Sequence, residues 1–142
     1  SSWHGTQVAA LVAALTDNAV GMASVGRGVR VLPVRVLGKC GGYTSDIAAG
    51  IVWASGGSVP GVPANPNPAR VINMSLGGSG ACDAASRDAI NSARSRGTVV
   101  VVAAGNSNAN AANFSPASCA GVESASSSSN GPYSRGSPSS AC

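Results

Sequence analysis

Charge is scarce in this chain: 10% of its 142 residues are Asp, Glu, Lys or Arg, against roughly 25% in an ordinary globular protein. Aromatics are scarcer, at 4%. Eight of the nine basic residues are Arg, scattered from Arg27 to Arg135, and Lys39 is the ninth. A nucleic-acid binder clusters its basic residues on one face and interleaves aromatics for stacking, so no nucleic-acid partner is expected. No apolar run approaches the roughly 20 residues of a membrane-spanning helix, and no membrane partner is expected either. The 44% of hydrophobic residues excludes a disordered tail, which needs low hydrophobicity and high charge. No C-x-x-C occurs among Cys40, Cys82, Cys119 and Cys142, which removes zinc-ribbon and thioredoxin readings. Their even count and wide spacing fit two disulfides in an oxidising compartment, with four buried thiols as the alternative. The chain opens at Ser1 without a charged n-region or an apolar h-region. A secretion signal is therefore expected to have been removed or to lie outside the sequence.

What is present is a run of small residues arranged periodically. Val8, Leu11, Val12 and Leu15 fall at helical spacing and predict a first helix with alanines between them. Residues 29–37 are β-branched and partly alternating, and predict a strand with Pro33 at an irregularity. Thr44 is placed to cap a second helix that buries Ile47, Ala48, Ile51 and Val52 and stops before Gly56 and Gly57. Residues 59–68 carry four prolines and must be a loop. Residues 71–74 predict a short buried strand ended by Gly77 and Gly78. A third helix is expected from near Asp83 to Arg96, with Gly97 as its C′ residue. Residues 99–103 are apolar throughout, as in a strand covered on both faces. Alternating helices and strands predict an α/β fold with a parallel sheet and crossover helices. Residues 115–142 form a Ser-rich tail of low complexity with no legible strand.

Three places carry candidate chemistry. His4, the single histidine, stands at the entrance of the first helix beside Gly5; it is either an ordinary surface residue or a proton carrier near neutral pH. Asn106 follows the strand of residues 99–103, at the end where parallel sheets present ligand groups. Its amide N–H can donate to a developing oxyanion, although Gly-Asn-Ser is also ordinary turn chemistry. Ser75 and Gly77 sit at another strand's carboxyl end, able to offer backbone groups to an extended peptide.

These residues carry a family resemblance. His4-Gly5-Thr6 opening a small-residue helix looks like the histidine motif of the subtilisin-like serine peptidases, the subtilases. Ser75-Leu76-Gly77-Gly78 resembles that family's substrate-binding strand, and Ala103-Ala104-Gly105-Asn106 its oxyanion-hole motif. The likeness runs over roughly residues 3–122 in the family's order. Residues 38–42 and the Pro-rich loop look most like secreted bacterial members of the Xanthomonas type. The resemblance implies a three-layer core, present here incompletely, and a secreted, monomeric endopeptidase acting on polypeptides. It implies His4 as general base and Asn106 as transition-state donor, with Ser75, Leu76, Gly77 and Gly105 binding substrate backbone and walling its pockets. Gln7 and Ala10 depart from the family's His-Gly-Thr-His-Val-Ala-Gly, at positions that are not catalytic.

The family's aspartate and nucleophile motifs are absent from the sequence. The chain order Asp, His, Ser places the Asp roughly 30 residues before the His and the Ser more than about 150 after it. Both are expected outside this chain, which reads as a single segment of a larger peptidase domain. In the implied arrangement Cys40 and Cys82 each follow one of two neighbouring strands, so they are expected to pair, leaving Cys119 with Cys142. The turn of residues 15–22 resembles the family's calcium loop and makes Asp17 a candidate ligand for a structural Ca²⁺, with a simple helix-ending turn as the alternative. No cofactor is required for the chemistry. Two rivals stand beside this reading. One is a non-catalytic, subtilase-like binding module; the other is a nucleotide-binding α/β domain, which lacks G-x-G-x-x-G and a P-loop lysine.

Overall fold

The computed structural model describes residues 2–125 and 133–135. It divides into two compact units, Ser1–Pro33 and Val34–Cys142.

The first unit is built on α1 (His4–Ala13). The expected stripe forms on this helix only in part, because Ala14 turns to extended backbone (ψ 143) and Leu15 lies beyond the helical turns. The chain then curls back. Val25 N–H donates to the Leu11 carbonyl at 3.0 Å and Gly26 N–H to that of Val12 at 2.9 Å. These bonds satisfy acceptors that a helix end otherwise leaves open. A side chain at Gly26 would collide with Val29 and the Val12 carbonyl, so the return needs glycine. No residue of α1 is buried.

The second unit holds the core. Residues 34–37 pass beside α2 (Thr44–Ala54), where a Cβ on Gly50 would lie 2.7 Å from Val36. The expected strand at residues 29–37 is not laddered to any sheet among the described residues. Pro33 lacks an N–H, and the only local bridge is Gly38 with Gly41. The helix α2 starts one residue earlier than its expected cap implies: Tyr43 is the N-cap and Thr44 the first helical residue. Its C-terminus is held by the Pro-rich loop. Asn65 Nδ2 donates to the carbonyls of Trp53 and Ala54, both at 3.1 Å, while Asn67 N–H donates to Asn65 Oδ1 at 2.8 Å.

Then follow β1 (Val71–Met74), β2 (Gly78–Ser79) and α3 (Ala84–Ser95). Asp83 caps α3, accepting from Ser86 N–H at 2.9 Å and Ser86 Oγ at 2.7 Å. Gly97 adopts φ 81 just past its end, the left-handed geometry expected there. After α3 come β3 (Val99–Ala103), β4 (Ser107–Asn110), a 3₁₀ turn (Ala111–Asn113), β5 (Phe114–Ser115), β6 (Glu123–Ala125) and β7 (Tyr133–Arg135).

The main sheet has the order β1-β3-β6 and is parallel throughout, with Met74 opposite Val102 and Val102 opposite Ser124. Its core face buries Met74, Val100 and Val102 against Ile51 of α2 and Ala89, Ile90 and Ala93 of α3. Burial alternates along β3: Val100 and Val102 are 1% exposed, whereas Val99 is 47% exposed. Coverage on both faces, expected from the apolar run, is thus met on one face within this unit. The Ser-rich tail supplies β6, unforeseen in the sequence, because β3 offers it an open parallel edge. Residues 126–132 and 136–142 of that tail lie outside the described residues. No described helix is long and apolar enough to cross a membrane.

Candidate active site

In the first unit, His4 is the first residue of α1 and is exposed. Its backbone N–H faces Ser2 Oγ at 3.4 Å. The preceding Trp3 holds φ 55, a left-handed conformation costly for a bulky residue. Nothing lies within 4 Å of where a Cβ on Gly5 would stand, so the space around Gly5 is open. The loop of residues 15–23 surrounds a concavity of about 150 Å³. Asp17, Ala19 and Gly21 all have positive φ (61, 57 and 68), and Asn18 Oδ1 accepts from Val20 N–H at 3.1 Å.

In the second unit, two chain segments leave the same end of the parallel sheet. The register that sets Met74 against Val102 sends residues 75–77 and 104–106 out side by side, since adjacent strands stand about 4.8 Å apart. Ser75 and Leu76 are half-buried and Gly77 is exposed. Asn73 Nδ2 donates to Ser75 Oγ at 3.0 Å, and Leu76 packs on the core. Ala104 is buried and its N–H donates to the Ala125 carbonyl at 2.9 Å. Gly105 has φ 100, which no other residue type adopts without strain. Asn106 follows it, exposed. A buried anchor, a glycine hinge and an exposed amide thus occupy three consecutive positions.

Two contacts here carry no signature in the sequence. The ring of Phe114 lies 3.8 Å from the position of a Cβ on Gly105. The β2–β5 ribbon pairs Gly78 with Ser115 and Ser79 with Phe114, and Gly80 N–H donates to the Asn113 carbonyl at 2.9 Å. A Cβ at Gly77 would come within 3.1 Å of the Ser115 carbonyl oxygen. Only the adjacency of Ser115 and Pro116, a turn signal, marks this region in the sequence.

The same ribbon corrects the cysteine pairing. Cys82 is bonded to Cys119, with Cα atoms 4.9 Å apart, instead of to Cys40, and the expected Cys119–Cys142 pair falls with it. Residues 29–37 do not enter the sheet, so Cys40 is not delivered to Cys82, whereas β5 carries Cys119 there. Cys40 is itself disulfide-bonded, and Cys142 lies outside the described residues. Among the described residues, no group of three His, Cys, Asp or Glu could hold a metal ion.

The Ser86 N–H, and then its hydroxyl, hold the Asp83 carboxyl below its ordinary value.

The parallel sheet with its helical crossover defines an α/β protein, with residues 75–77 and 104–106 at the strands' carboxyl ends. Sequence comparison gives the family. The profile described as "Subtilase family" matches residues 1–141, and the chain belongs to that family. It is 63% identical over 122 residues to an extracellular protease of Xanthomonas campestris pv. campestris, covering 86% of this chain and 21% of that protein. It is 52% identical to an extracellular basic protease of Dichelobacter nodosus, over 86% of this chain and 20% of the relative. A solved protease structure from Pseudoalteromonas arctica superposes with a TM-score of 0.86 at 66% identity, covering 87% of this chain and 37% of that one. The chain therefore spans about a fifth of the length of these two curated relatives.

Proposed function

We propose that this chain is the central part of a secreted, monomeric serine endopeptidase that cleaves polypeptides by acyl transfer. The observation that carries the reading is the register of β1 with β3, which sends residues 75–77 and the turn ending in Asn106 from one sheet edge. An extended peptide laid along residues 75–77 has its scissile carbonyl within the neighbourhood of the Asn106 amide. That amide is a neutral donor aimed at charge which develops only in the transition state. Gly105 lets the backbone approach the same carbonyl without a side chain in the way. His4, at the open mouth of α1, takes the proton of a serine hydroxyl and returns it to the leaving amine. The nucleophilic serine and the aspartate that orients His4 are assigned to no residue of this chain. Secretion accords with the names of the relatives and with the Cys82–Cys119 bond, which needs an oxidising compartment.

The loop of residues 15–23 fits a structural Ca²⁺ in kind: Asp17 is its one carboxylate, and the remaining donors are hydroxyl, amide and carbonyl oxygens, the hard set this ion prefers. When bound, the ion would stiffen the return of α1 and supply nothing to the reaction.

The test is made on the full-length protein. A serine-directed phosphonate should label a serine outside residues 1–142. His4→Ala should abolish peptide hydrolysis with the fold intact. Asn106→Ala should lower kcat by about 10²–10³-fold, the size found for this type of donor in a subtilisin, itself a subtilase. Turnover retained in His4→Ala rejects the assignment. Peptide binding without cleavage by the wild type would make the protein a binding module.

A further inference from the structure

We propose that the Cys82–Cys119 disulfide, acting through Phe114, is a positioning clasp for both walls of the substrate cleft; the proposal rests on the peptidase reading above. The strand of residues 75–77 leaves the main sheet at Met74, Leu76 packs on the core, and the two-residue ribbon of β2 with β5 is the ladder that holds the segment further along among the described residues. A ribbon of two short strands is marginal in water without other support. Three further contacts support it here. Gly80 N–H donates to the Asn113 carbonyl, Gly77 closes against the Ser115 carbonyl, and the disulfide ties Cys82, which follows β2, to Cys119, which follows β5, across a sequence separation of 37.

The second arm reaches the other wall. Phe114 stands opposite Ser79 in the ribbon while its ring lies against Gly105, one residue before the proposed oxyanion donor. One covalent bond thus fixes a segment that touches both the substrate strand and the oxyanion turn. Cys119 is 5% exposed and belongs to the core cluster, so the clasp is anchored to the rigid part of the unit. Without it, residues 75–79 and 104–106 would have to be ordered when a peptide binds, and each ordered residue costs backbone entropy. The cost of ordering residues 75–79 falls on substrates that use the whole strand, whereas that of residues 104–106 falls on every substrate, since each passes through the same oxyanion.

Cys82→Ser/Cys119→Ser in the full-length protein tests this. The readouts are kcat and KM for a tetrapeptide anilide and for a single-residue ester, below the unfolding temperature of both proteins. The expected result is a fall in kcat/KM for both substrates that is about tenfold larger for the tetrapeptide, equal to about 1.4 kcal/mol, with the excess carried by its KM. Hydrogen exchange should rise at residues 76–79 and 104–107 while the amides of Val100 and Val102 stay protected. Phe114→Leu, which keeps the disulfide, should shift the tetrapeptide KM the same way and stands in if the Ser pair does not fold. Equal losses on both substrates, or unchanged exchange at residues 76–79, overturn the clasp. A wild type that hydrolyses neither substrate overturns the peptidase reading instead, and exchange still decides whether the clasp orders these segments.

Discussion

Truncating Ile90 is the most direct trial of the packing that supports the proposed site. Ile90 is fully buried in α3, within the cluster of Ile51, Met74, Val100 and Val102. Its neighbours on the inner face of α3 are Ser86, Ala89 and Ala93, all too short to swing into a void. Ile90→Ala removes three carbons, worth about 2.4 kcal/mol at about 0.8 kcal/mol for each buried methylene. The void that remains adds to this, placing the total near 3–4 kcal/mol, inside the span of about 2–5 measured for such changes. Ile90→Val removes one carbon and should cost about 1 kcal/mol. Native-state hydrogen exchange at the amides of Val100 and Val102 reads this locally, in a His4→Ala background to prevent self-digestion. Protection in Ile90→Ala should fall by roughly 10²–10³-fold, since each 1.4 kcal/mol is tenfold. A fall of less than about fivefold, or equal effects of the two substitutions, would refute a close-packed interface between α3 and the sheet.

Three further outcomes are expected. Asp83→Ala should destabilise by about 1 kcal/mol at neutral pH through loss of the α3 cap, measured by urea denaturation. Because the Asp83 carboxyl is held below its ordinary value, its stabilisation is present above the unfolded-state pKa and is lost as pH falls through the folded one. The penalty should be constant from pH 6 to 8 and shrink below about pH 4; a penalty that grows in acid contradicts the assignment. Asn65→Asp keeps an acceptor for Asn67 N–H but removes both donors to the Trp53 and Ala54 carbonyls. It should cost about 1–3 kcal/mol by thermal denaturation, and a neutral result would mean that the Pro-rich loop does not hold α2. Calcium should raise the melting temperature of the full-length protein, with a smaller rise in Asp17→Asn; identical responses would remove Asp17 from the ligand set.

The helices α2 and α3 and the strands β1 and β3 were legible because each is specified by neighbours in the chain. Asp83 and Gly97 bracket α3 as cap and C′ residue, and Val99 to Val102 are four consecutive β-branched apolar residues, as a short strand favours. The candidate site was legible as chemistry at strand ends, in residues 75–77 and 104–106. It was not legible as a place: the ring of Phe114 against Gly105 joins positions nine residues apart through a ribbon that no local pattern announces. The segment of residues 29–37 failed in the opposite sense. Its composition is that of a strand, yet no described strand pairs with it, so β propensity found no ladder to join.

The sequence by itself determined the local elements, the scarcity of charge and the presence of a proton carrier, a neutral donor and glycine hinges. Backbone propensity, capping and side-chain period act over a few residues, and those few residues were in view. Only the tertiary structure decided which strands became neighbours, that residues 123–125 would serve as the third strand of the sheet, and which cysteine Cys82 would meet. The reason is visible in the disulfide. Closing 42 residues from Cys40 or 37 to Cys119 differs by only about 0.1 kcal/mol of loop entropy, so spacing could not choose between them. The ribbon of β2 with β5 did, by carrying one partner to within 4.9 Å.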